Sequence, residues 1–237
     1  MNKNKMVRWK RMGAALIGSI ALLSGALFAN SGALATDEVP EKTHDGLELV
    51  EGTKLDAVYR LPGADFTPYQ RVAILECAVA FRNNWQRDQN RDRRGGSRIT
   101  PDDMDRIKST LSEEFLKIFT EELEKGGYAV VDTGGEDVLV LRPAIINLDV
   151  AAPDIMEPGR TRTFSATAGQ MTLYLEVYDS VTSAILGRAV DARSSRGPGR
   201  VQISNRVTNR AEADRILRRW ATILVGKLDA VHGKTAK

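Results

Sequence analysis

The sequence has little of the chemistry on which most enzymes depend. Its 237 residues include one cysteine, Cys77, and two histidines, His44 and His232. Neither histidine falls in a segment predicted to be rigid, whereas a catalytic triad or a Cys–His pair needs a positioned imidazole. The motifs HExxH, CxxC, GxGxxG and GxxxxGKS are also absent, so no zinc site or phosphate loop is indicated. We therefore expect no catalytic residue, no metal and no cofactor.

The sequence also lacks a strong excess of charge of one sign. It carries 34 Lys and Arg against 31 Asp and Glu, for a net charge of +3. Residues 1–35 contribute five of the basic residues and no acid, so 29 basic and 31 acidic residues remain without them, a net of −2. The balance gives no support for binding of nucleic acid or of an anionic membrane.

The N-terminus has the pattern of an export signal. A basic start is followed by an apolar run over residues 12–29 and by Ala33-Leu34-Ala35, a small-x-small site. This pattern predicts cleavage after Ala35 and a periplasmic or secreted protein. The alternatives are an uncleaved membrane anchor or a buried helix, and the anchor would be near the short limit for crossing ~30 Å of hydrocarbon. A lone cysteine forms no internal disulfide, and Cys77 is interpreted as a small buried residue.

After the signal, the sequence predicts an extended arm, residues 36–68, with short structured pieces at 47–50 and 55–61. A single α+β domain over residues 69–233 and a disordered tail, 234–237, follow. Apolar runs and alternation predict strands at 71–81, 128–131, 138–150, 171–178 and 185–193, the third interrupted or bulged at Pro143 and the last two forming an antiparallel hairpin. Helices are predicted from Pro101 to the Gly126-Gly127 pair and from Asn209 to Val231. The expected architecture has two layers, a mostly antiparallel sheet with two helices on one face, in the order β-α-β-β-β-β-α.

The first long helix carries its own start signal. Thr100 suits the N-cap, Pro101 the first turn, and Asp102 and Asp103 the positive end of the helix dipole. Capping explains these acids, although paired carboxylates also serve glycoside hydrolases. A carboxylate-dependent hydrolase therefore stays as an alternative, with two acidic clusters as its candidates: Asp102, Asp103 and Asp105, and Glu121, Glu122 and Glu124.

Arginine is the distinctive usage of this chain. Residues 82–98 contain six arginines against two acids, a local balance of +4. Guanidinium groups bind carboxylate and phosphate bidentately, so the segment predicts an anion site. A solvated loop with ion pairs to the acidic helix is the plainer interpretation. The candidate anion-binding residues are Arg87, Arg91, Arg93, Arg94 and Arg98.

Four short segments carry a resemblance to a known family. They are residues 46–50 (GLELV), 62–69 (PGADFTPY), 139–143 (LVLRP) and 175–180 (LEVYDS). Together they resemble the bacterial family of proteins of unknown function numbered 3313, over about residues 46–231. The resemblance implies an exported, often lipoprotein-like envelope protein with no established catalytic residues. This sequence departs from lipoprotein-like members in lacking the cysteine that would be acylated.

Three functions are compatible with these observations. The first is a non-enzymatic envelope protein that binds or helps assemble another envelope component, with an envelope protein as its expected partner. The second is an anion-binding module for lipid head groups or acidic glycan. The third is the carboxylate-dependent hydrolase. Export argues against nucleic acid as a partner, and membrane association is expected to be peripheral at most.

Overall fold

The computed structural model describes residues 39–91, 93, 98–150, 169–194 and 206–234 of the chain. Within these residues there are eight strands and three helices. The strands are β1 Glu48–Leu49, β2 Ala57–Arg60, β3 Arg71–Ile74, β4 Ala78–Phe81, β5 Ala129–Val130, β6 Val138–Asp149, β7 Gln170–Asp179 and β8 Ile185–Ser194. The helices are α1 Trp85–Asn90, α2 Pro101–Lys125 and α3 Arg206–Val231.

All the strands belong to one mostly antiparallel sheet. Its order is β1-β2-β8-β7-β6-β3-β5, and β4 also pairs with β6. The neighbouring pairs β1–β2, β2–β8, β8–β7 and β7–β6 are antiparallel. By contrast, β3 and β4 run parallel to β6, and β5 runs parallel to β3. The predicted hairpin of β7 and β8 is confirmed, with Leu175 opposite Ala189. The predicted antiparallel character of the sheet is therefore confirmed, with a parallel part at one side.

Alternation along β7 places its two faces in different surroundings. Met171, Leu173 and Leu175 are buried in the main core, which they share with the apolar residues of α2 and α3. The intervening side chains, Thr172, Tyr174, Glu176 and Tyr178, point to the opposite face because strand side chains alternate. The main core therefore contains residues of the sheet and of both long helices.

The predicted strand over residues 71–81 is wrong in its continuity. It is two strands, β3 and β4, that pair with successive parts of β6. Ile74 is opposite Leu141 and Ala78 is opposite Ala144. The chain advances four residues from Ile74 to Ala78 while β6 advances three, so the connection between β3 and β4 contains one extra residue. The break faces Pro143, which has no N–H to give to a neighbouring strand.

The predicted interruption of β6 at Pro143 is also wrong. β6 runs without a break through Pro143, and its pairing with β7 becomes irregular only between Ile146 and Asp149. Asn147 lies at this irregularity with φ 53°, a conformation that asparagine tolerates better than most residues. Pro143 therefore interrupts the neighbouring strand, and the bulge of β6 itself lies four residues later, at Asn147.

The segment predicted as an extended arm is part of the folded unit. β2 pairs with β8, and β1 pairs with β2 at the edge of the sheet. Leu47 is completely buried, in a small cluster with Ala57 and Tyr59. The folded unit thus begins before Tyr69, and the order of elements is β-β-β-β-α-α-β-β-β-β-α. The two extra strands at the start, the division of the predicted first strand into β3 and β4, and the extra helix α1 correct the predicted order.

The C-terminal end is held more firmly than the sequence suggested. The ring nitrogens of His232 lie 2.8 Å from the Leu228 carbonyl oxygen and 3.2 Å from that of Thr67. Lys234, which was assigned to the disordered tail, donates a hydrogen bond to the Gly126 carbonyl oxygen at 3.2 Å. Residues 235–237 lie outside the described residues. Among the helices described, none combines the length and apolar composition that crossing a bilayer requires.

Candidate functional site

An open groove lies between α1 and the start of α2. Its volume is about 640 Å³, a size within the range of ligand sites. We call it the arginine groove, because three of the eight side chains that line it are arginines. The lining residues are Gln86, Arg87, Asn90, Arg91, Arg98, Ile99, Thr100 and Pro101.

Helix α1 exists because its first residue is anchored to the body of the protein. The Trp85 side chain is 1% exposed, and its indole N–H donates to the Val150 carbonyl oxygen at 3.0 Å. Phe81 at the end of β4 stacks on the same ring, with 4.1 Å between ring centroids. The interpretation of residues 82–98 as a solvated loop is therefore wrong for residues 85–90, which are helical. The anchor fixes the helix that carries Arg87 and that ends at its C-cap residue, Arg91.

Side-chain amides fix the floor of the groove. Asn90 accepts a hydrogen bond from the Ile99 N–H at 2.7 Å and donates to the Ile99 carbonyl oxygen at 2.9 Å. Gln86 donates a second hydrogen bond to that carbonyl oxygen at 3.0 Å. These bonds hold the residue before the N-cap of α2 against α1. These hydrogen bonds therefore fix the floor of the groove and its two walls, which are α1 and the start of α2.

The start of α2 is already satisfied by its own cap. Thr100 Oγ1 accepts from the Asp103 N–H at 3.2 Å, and the Asp103 carboxylate accepts from the Thr100 N–H at 2.9 Å. The predicted capping role of Thr100 and Asp103 is confirmed. The cap leaves binding in the groove to the arginine side chains.

The guanidinium groups of Arg87 and Arg91 extend into solvent. Their side chains are 72% and 71% exposed, and both approach Asp88 Oδ1, at 3.7 Å and 3.4 Å. Arg82 occupies the other oxygen of that carboxylate at 2.8 Å and contacts Asp149 at 3.0 Å. The hydrogen bond from Arg82 lowers the pKa of Asp88. Since Asp88 is shared among three arginines, Arg87 and Arg91 keep most of their five N–H donors for another anion.

The predicted anion-binding residues are thus brought together in part. Arg87, Arg91 and Arg98 line the groove, whereas Arg93 is half-buried and is not among the lining residues. Arg94 lies outside the described residues. Sequence reasoning missed Gln86 and Asn90, whose role is to bind backbone atoms. Anion binding by the arginines remains a prediction.

Pairing with the acids of α2, the alternative interpretation of the arginine segment, is seen for Arg218 of α3 but not for Arg82. Arg82 binds Asp88 and Asp149, which lie on α1 and β6. Glu121 and Glu122 each accept a hydrogen bond at 2.9 Å from Arg218 of α3. Those glutamates therefore tie the two long helices together and do not neutralise the groove.

Carboxylates from different elements also converge on the other face of the sheet. Arg188 of β8, with 9% of its side chain exposed, contacts Glu176 at 2.9 Å and also pairs with Asp45. Glu176 in addition accepts hydrogen bonds from Tyr178 at 2.8 Å and from Tyr174 at 3.1 Å. The network fastens the N-terminal segment to the sheet.

The protonation of this network suits a structural role. Burial opposes ionisation of Asp45, but hydrogen bonds from Arg188 and Thr43 outweigh it and lower its pKa to about 2. Burial and the charge of Glu176 raise the pKa of Tyr174 to about 12. A general acid at neutral pH needs a raised carboxyl pKa, so Asp45 does not suit that task. Among the described residues, no group of three His, Cys, Asp or Glu side chains is placed to hold a metal ion.

Comparisons with known proteins give a family and distant structural likenesses. The family model "Protein of unknown function (DUF3313)" matches residues 41–224, and the chain belongs to this family, as the sequence segments indicated. No curated protein matches.

Solved structures with some similarity share little sequence. A PelC dodecamer from Paraburkholderia phytofirmans is 13% identical, with 70% of this chain and 95% of that chain covered and a TM-score of 0.34. A minor lipoprotein from Acinetobacter baumannii is 10% identical, with 68% and 94% covered and a TM-score of 0.28. A DUF4136 family protein from Bacteroides thetaiotaomicron is 10% identical, with 72% and 94% covered and a TM-score of 0.36.

Proposed function

We propose that this member of the DUF3313 family is an exported, non-enzymatic envelope protein that binds an anionic envelope component through the arginine groove. The observation that carries the proposal is the combination of exposed cations with a fixed floor. Arg87, Arg91 and Arg98 line the groove, and Asn90 and Gln86 hold its floor. Fixed walls reduce the ordering cost of binding, so a ligand need not reshape the site.

Export is proposed from the N-terminal sequence. The basic start, the apolar run over residues 12–29 and the Ala33-Leu34-Ala35 site support removal of residues 1–35. Sequencing the N-terminus of the protein purified from its native cell tests this. We expect Thr36 as the first residue in an envelope or extracellular fraction. A chain that starts at Met1 and fractionates with cytosolic markers would contradict export.

Binding is tested with a triple variant of the groove. Arg87→Ala, Arg91→Ala and Arg98→Ala together remove three exposed cations with little effect on folding, because exposed substitutions change stability by about 0.5 kcal/mol or less. The matched control is Arg60→Ala, Arg215→Ala and Arg219→Ala, which removes the same charge from other exposed positions. The probes are polygalacturonate, phosphatidylglycerol vesicles and a poly-glutamate peptide, each measured by thermophoresis at low salt.

We expect at least one probe to bind with an affinity that falls steeply with salt, because exposed charges are screened within ~10 Å at 0.1 M. The groove variant should weaken that binding by about tenfold or more, which corresponds to ~1.4 kcal/mol. The control variant should change it by about twofold or less. Equal losses in both variants would show general electrostatic attraction instead of a site. Absence of binding to every probe would overturn the proposal.

The expected envelope protein partner can be sought at the same place. A photo-crosslinking amino acid in place of Pro101, an exposed lining residue that is not one of the groove's cations, samples whatever occupies the groove of the full chain in the intact envelope. The same residue at position 215, which is also largely exposed on a helix, is the control. A crosslink specific to position 101 identifies the neighbour by mass spectrometry. A protein recovered there would support a role in assembly.

A further inference from the structure

We infer that the anion in the arginine groove is a linear polyanion, an acidic polysaccharide, and not a single phosphate or carboxylate. This inference rests on the proposed function and narrows its ligand to one class. It follows from three properties of the groove: the spread of its cations, the commitment of its other polar groups, and the absence of exposed large apolar side chains from its lining.

The cations are distributed along the groove. Arg87 lies on α1 and Arg91 is the C-cap residue one turn later, about 6 Å further along the helix axis. Arg98 precedes Ile99, the residue that Asn90 holds against α1. One small anion can meet one or two of these guanidinium groups at bonding distance. A chain with a charge on every unit can meet several of them at once.

The other polar groups of the lining are already committed. The amides of Gln86 and Asn90 bind the Ile99 backbone, and the Thr100 hydroxyl hydrogen-bonds with Asp103. A site for one defined small molecule usually has several convergent polar groups that fix its orientation. This groove offers charge on a rigid, open surface, which suits a repeating ligand that can bind in several registers.

The lining does not resemble a protein or membrane contact. In the part of the chain that is described, the well-exposed large apolar side chains are Val39, Leu116, Val181 and Val231. None of them lines the groove, and Ile99 is only 3% exposed. Protein interfaces centre on well-packed, desolvated pockets in which aromatic anchors accompany arginine, and stable membrane attachment adds apolar insertion to basic charge. A hydrated acidic glycan needs neither.

The glycan is held by charge and not by stacking. The Trp85 ring is 1% exposed and covered by Phe81, so it offers no platform for a sugar ring. Binding should therefore depend strongly on salt and on the number of charges that the ligand places in the groove. Chain length becomes the discriminating variable.

The test measures affinity for galacturonate oligomers of increasing length. The full mature chain, its groove triple variant and its matched control variant are titrated with monomeric, trimeric and hexameric galacturonate at low salt. We expect the hexamer to bind about tenfold or more tightly than the monomer, a difference that the groove variant loses and the control variant keeps. Neutral dextran should not bind.

Other outcomes separate the inference from the proposed function. If galacturonate monomer or inorganic phosphate binds as tightly as the hexamer through the same arginines, the site holds a single anion. In that case the inference fails and the proposed function stands. Groove-dependent binding of phosphatidylglycerol vesicles or poly-glutamate, without binding of the hexamer, also overturns the glycan while keeping the site. If no anionic probe depends on the three arginines, both fail.

Discussion

Asn90 pairs with the backbone of Ile99 in the way that one strand pairs with another. Its side-chain oxygen accepts the Ile99 N–H at 2.7 Å, and its nitrogen donates to the Ile99 carbonyl oxygen at 2.9 Å. Ile99 is 3% exposed, so its backbone groups depend on these bonds in place of water. A single amide thus joins the last turn of α1 to the start of α2 and sets the width of the arginine groove.

Replacing Asn90 by alanine should weaken both the fold and the site. The Ile99 N–H loses its partner, whereas the carbonyl oxygen keeps the hydrogen bond from Gln86. A buried donor without a partner costs about 1–3 kcal/mol, and we expect Asn90→Ala to lower the free energy of unfolding by about that amount. Urea denaturation measures the loss. Affinity for an anionic ligand should also fall, because the walls are no longer fixed.

Gln86→Ala is the matched comparison for Asn90→Ala. It removes one of two donors to the same carbonyl oxygen and leaves the Asn90 pair intact, so we expect a loss below about 1 kcal/mol. If Gln86→Ala costs as much as Asn90→Ala, the paired geometry of Asn90 is not what holds the segment.

The link between Asp45 and Arg188 should make stability depend on pH in the acid range. The folded protein lowers the pKa of Asp45 from 3.8 to about 2. A carboxyl with a lowered folded pKa stabilises the fold above its unfolded pKa and loses that contribution as pH falls through the folded one. We expect the free energy of unfolding to fall by about 1–2 kcal/mol between about pH 4 and pH 2 from this group, after allowance for its partial exposure.

Asp45→Asn isolates that contribution. The amide has the shape of the carboxyl but does not titrate, so the variant should be less stable than the parent at neutral pH. The difference between the two proteins should shrink as pH approaches 2. Urea titrations of both proteins across this range make the comparison. A constant difference at all pH values would show that Arg188 does not hold Asp45 as an ion.

The parts of the fold that sequence predicted are those that local patterns determine. The alternation of Met171, Leu173 and Leu175 identified β7, and Thr100 with Asp103 identified the start of α2. Helix α1 was missed because six residues show no helical period. It is anchored by Trp85, whose partner Val150 lies 65 residues away. β2 was missed as part of the sheet because its partner β8 is more than a hundred residues distant.

The site was predictable by composition and not by geometry. A local excess of arginine identified Arg87, Arg91 and Arg98, since charge density is visible in a short window of sequence. No sequence pattern indicates the roles of Asn90 and Gln86, because any asparagine or glutamine can bind a backbone group once the fold brings it there. The shape of the groove therefore became visible only in the structure.

Asp191 should be the costliest carboxylate to remove. It is completely buried and accepts hydrogen bonds from Trp220 Nε1 at 2.6 Å, Arg193 Nε at 2.6 Å and the Asp56 N–H at 3.1 Å. It thereby joins β8 to α3 and to the turn before β2. Asp191→Ala leaves buried donors without a partner, and we expect a loss of about 3–5 kcal/mol in the free energy of unfolding.

Glu212→Ala is the control for Asp191→Ala. Its partner Arg215 has a side chain that is 69% exposed, and exposed ion pairs contribute about 0–1 kcal/mol. Thermal unfolding of the two variants provides the measurement. A loss below about 1 kcal/mol for Asp191→Ala would contradict the role assigned to this carboxylate.

Cys77 should be unreactive as long as the protein is folded. Its side chain lies in the main core with 4% of the residue exposed, as the sequence predicted. Burial raises the pKa of its thiol to about 12, so the thiolate that attacks disulfide reagents is scarce at neutral pH. Ellman's reagent is an aromatic disulfide that releases a coloured thiolate when it reacts with a thiol. We expect it to release almost none of that thiolate when it is mixed with the native protein. It should release one equivalent after unfolding in urea, where the thiol titrates near 8.5. Rapid reaction of the native protein would mean that β4 and the residues before it open readily, and the anchoring of α1 by Phe81 and Trp85 would then be weaker than the structure indicates.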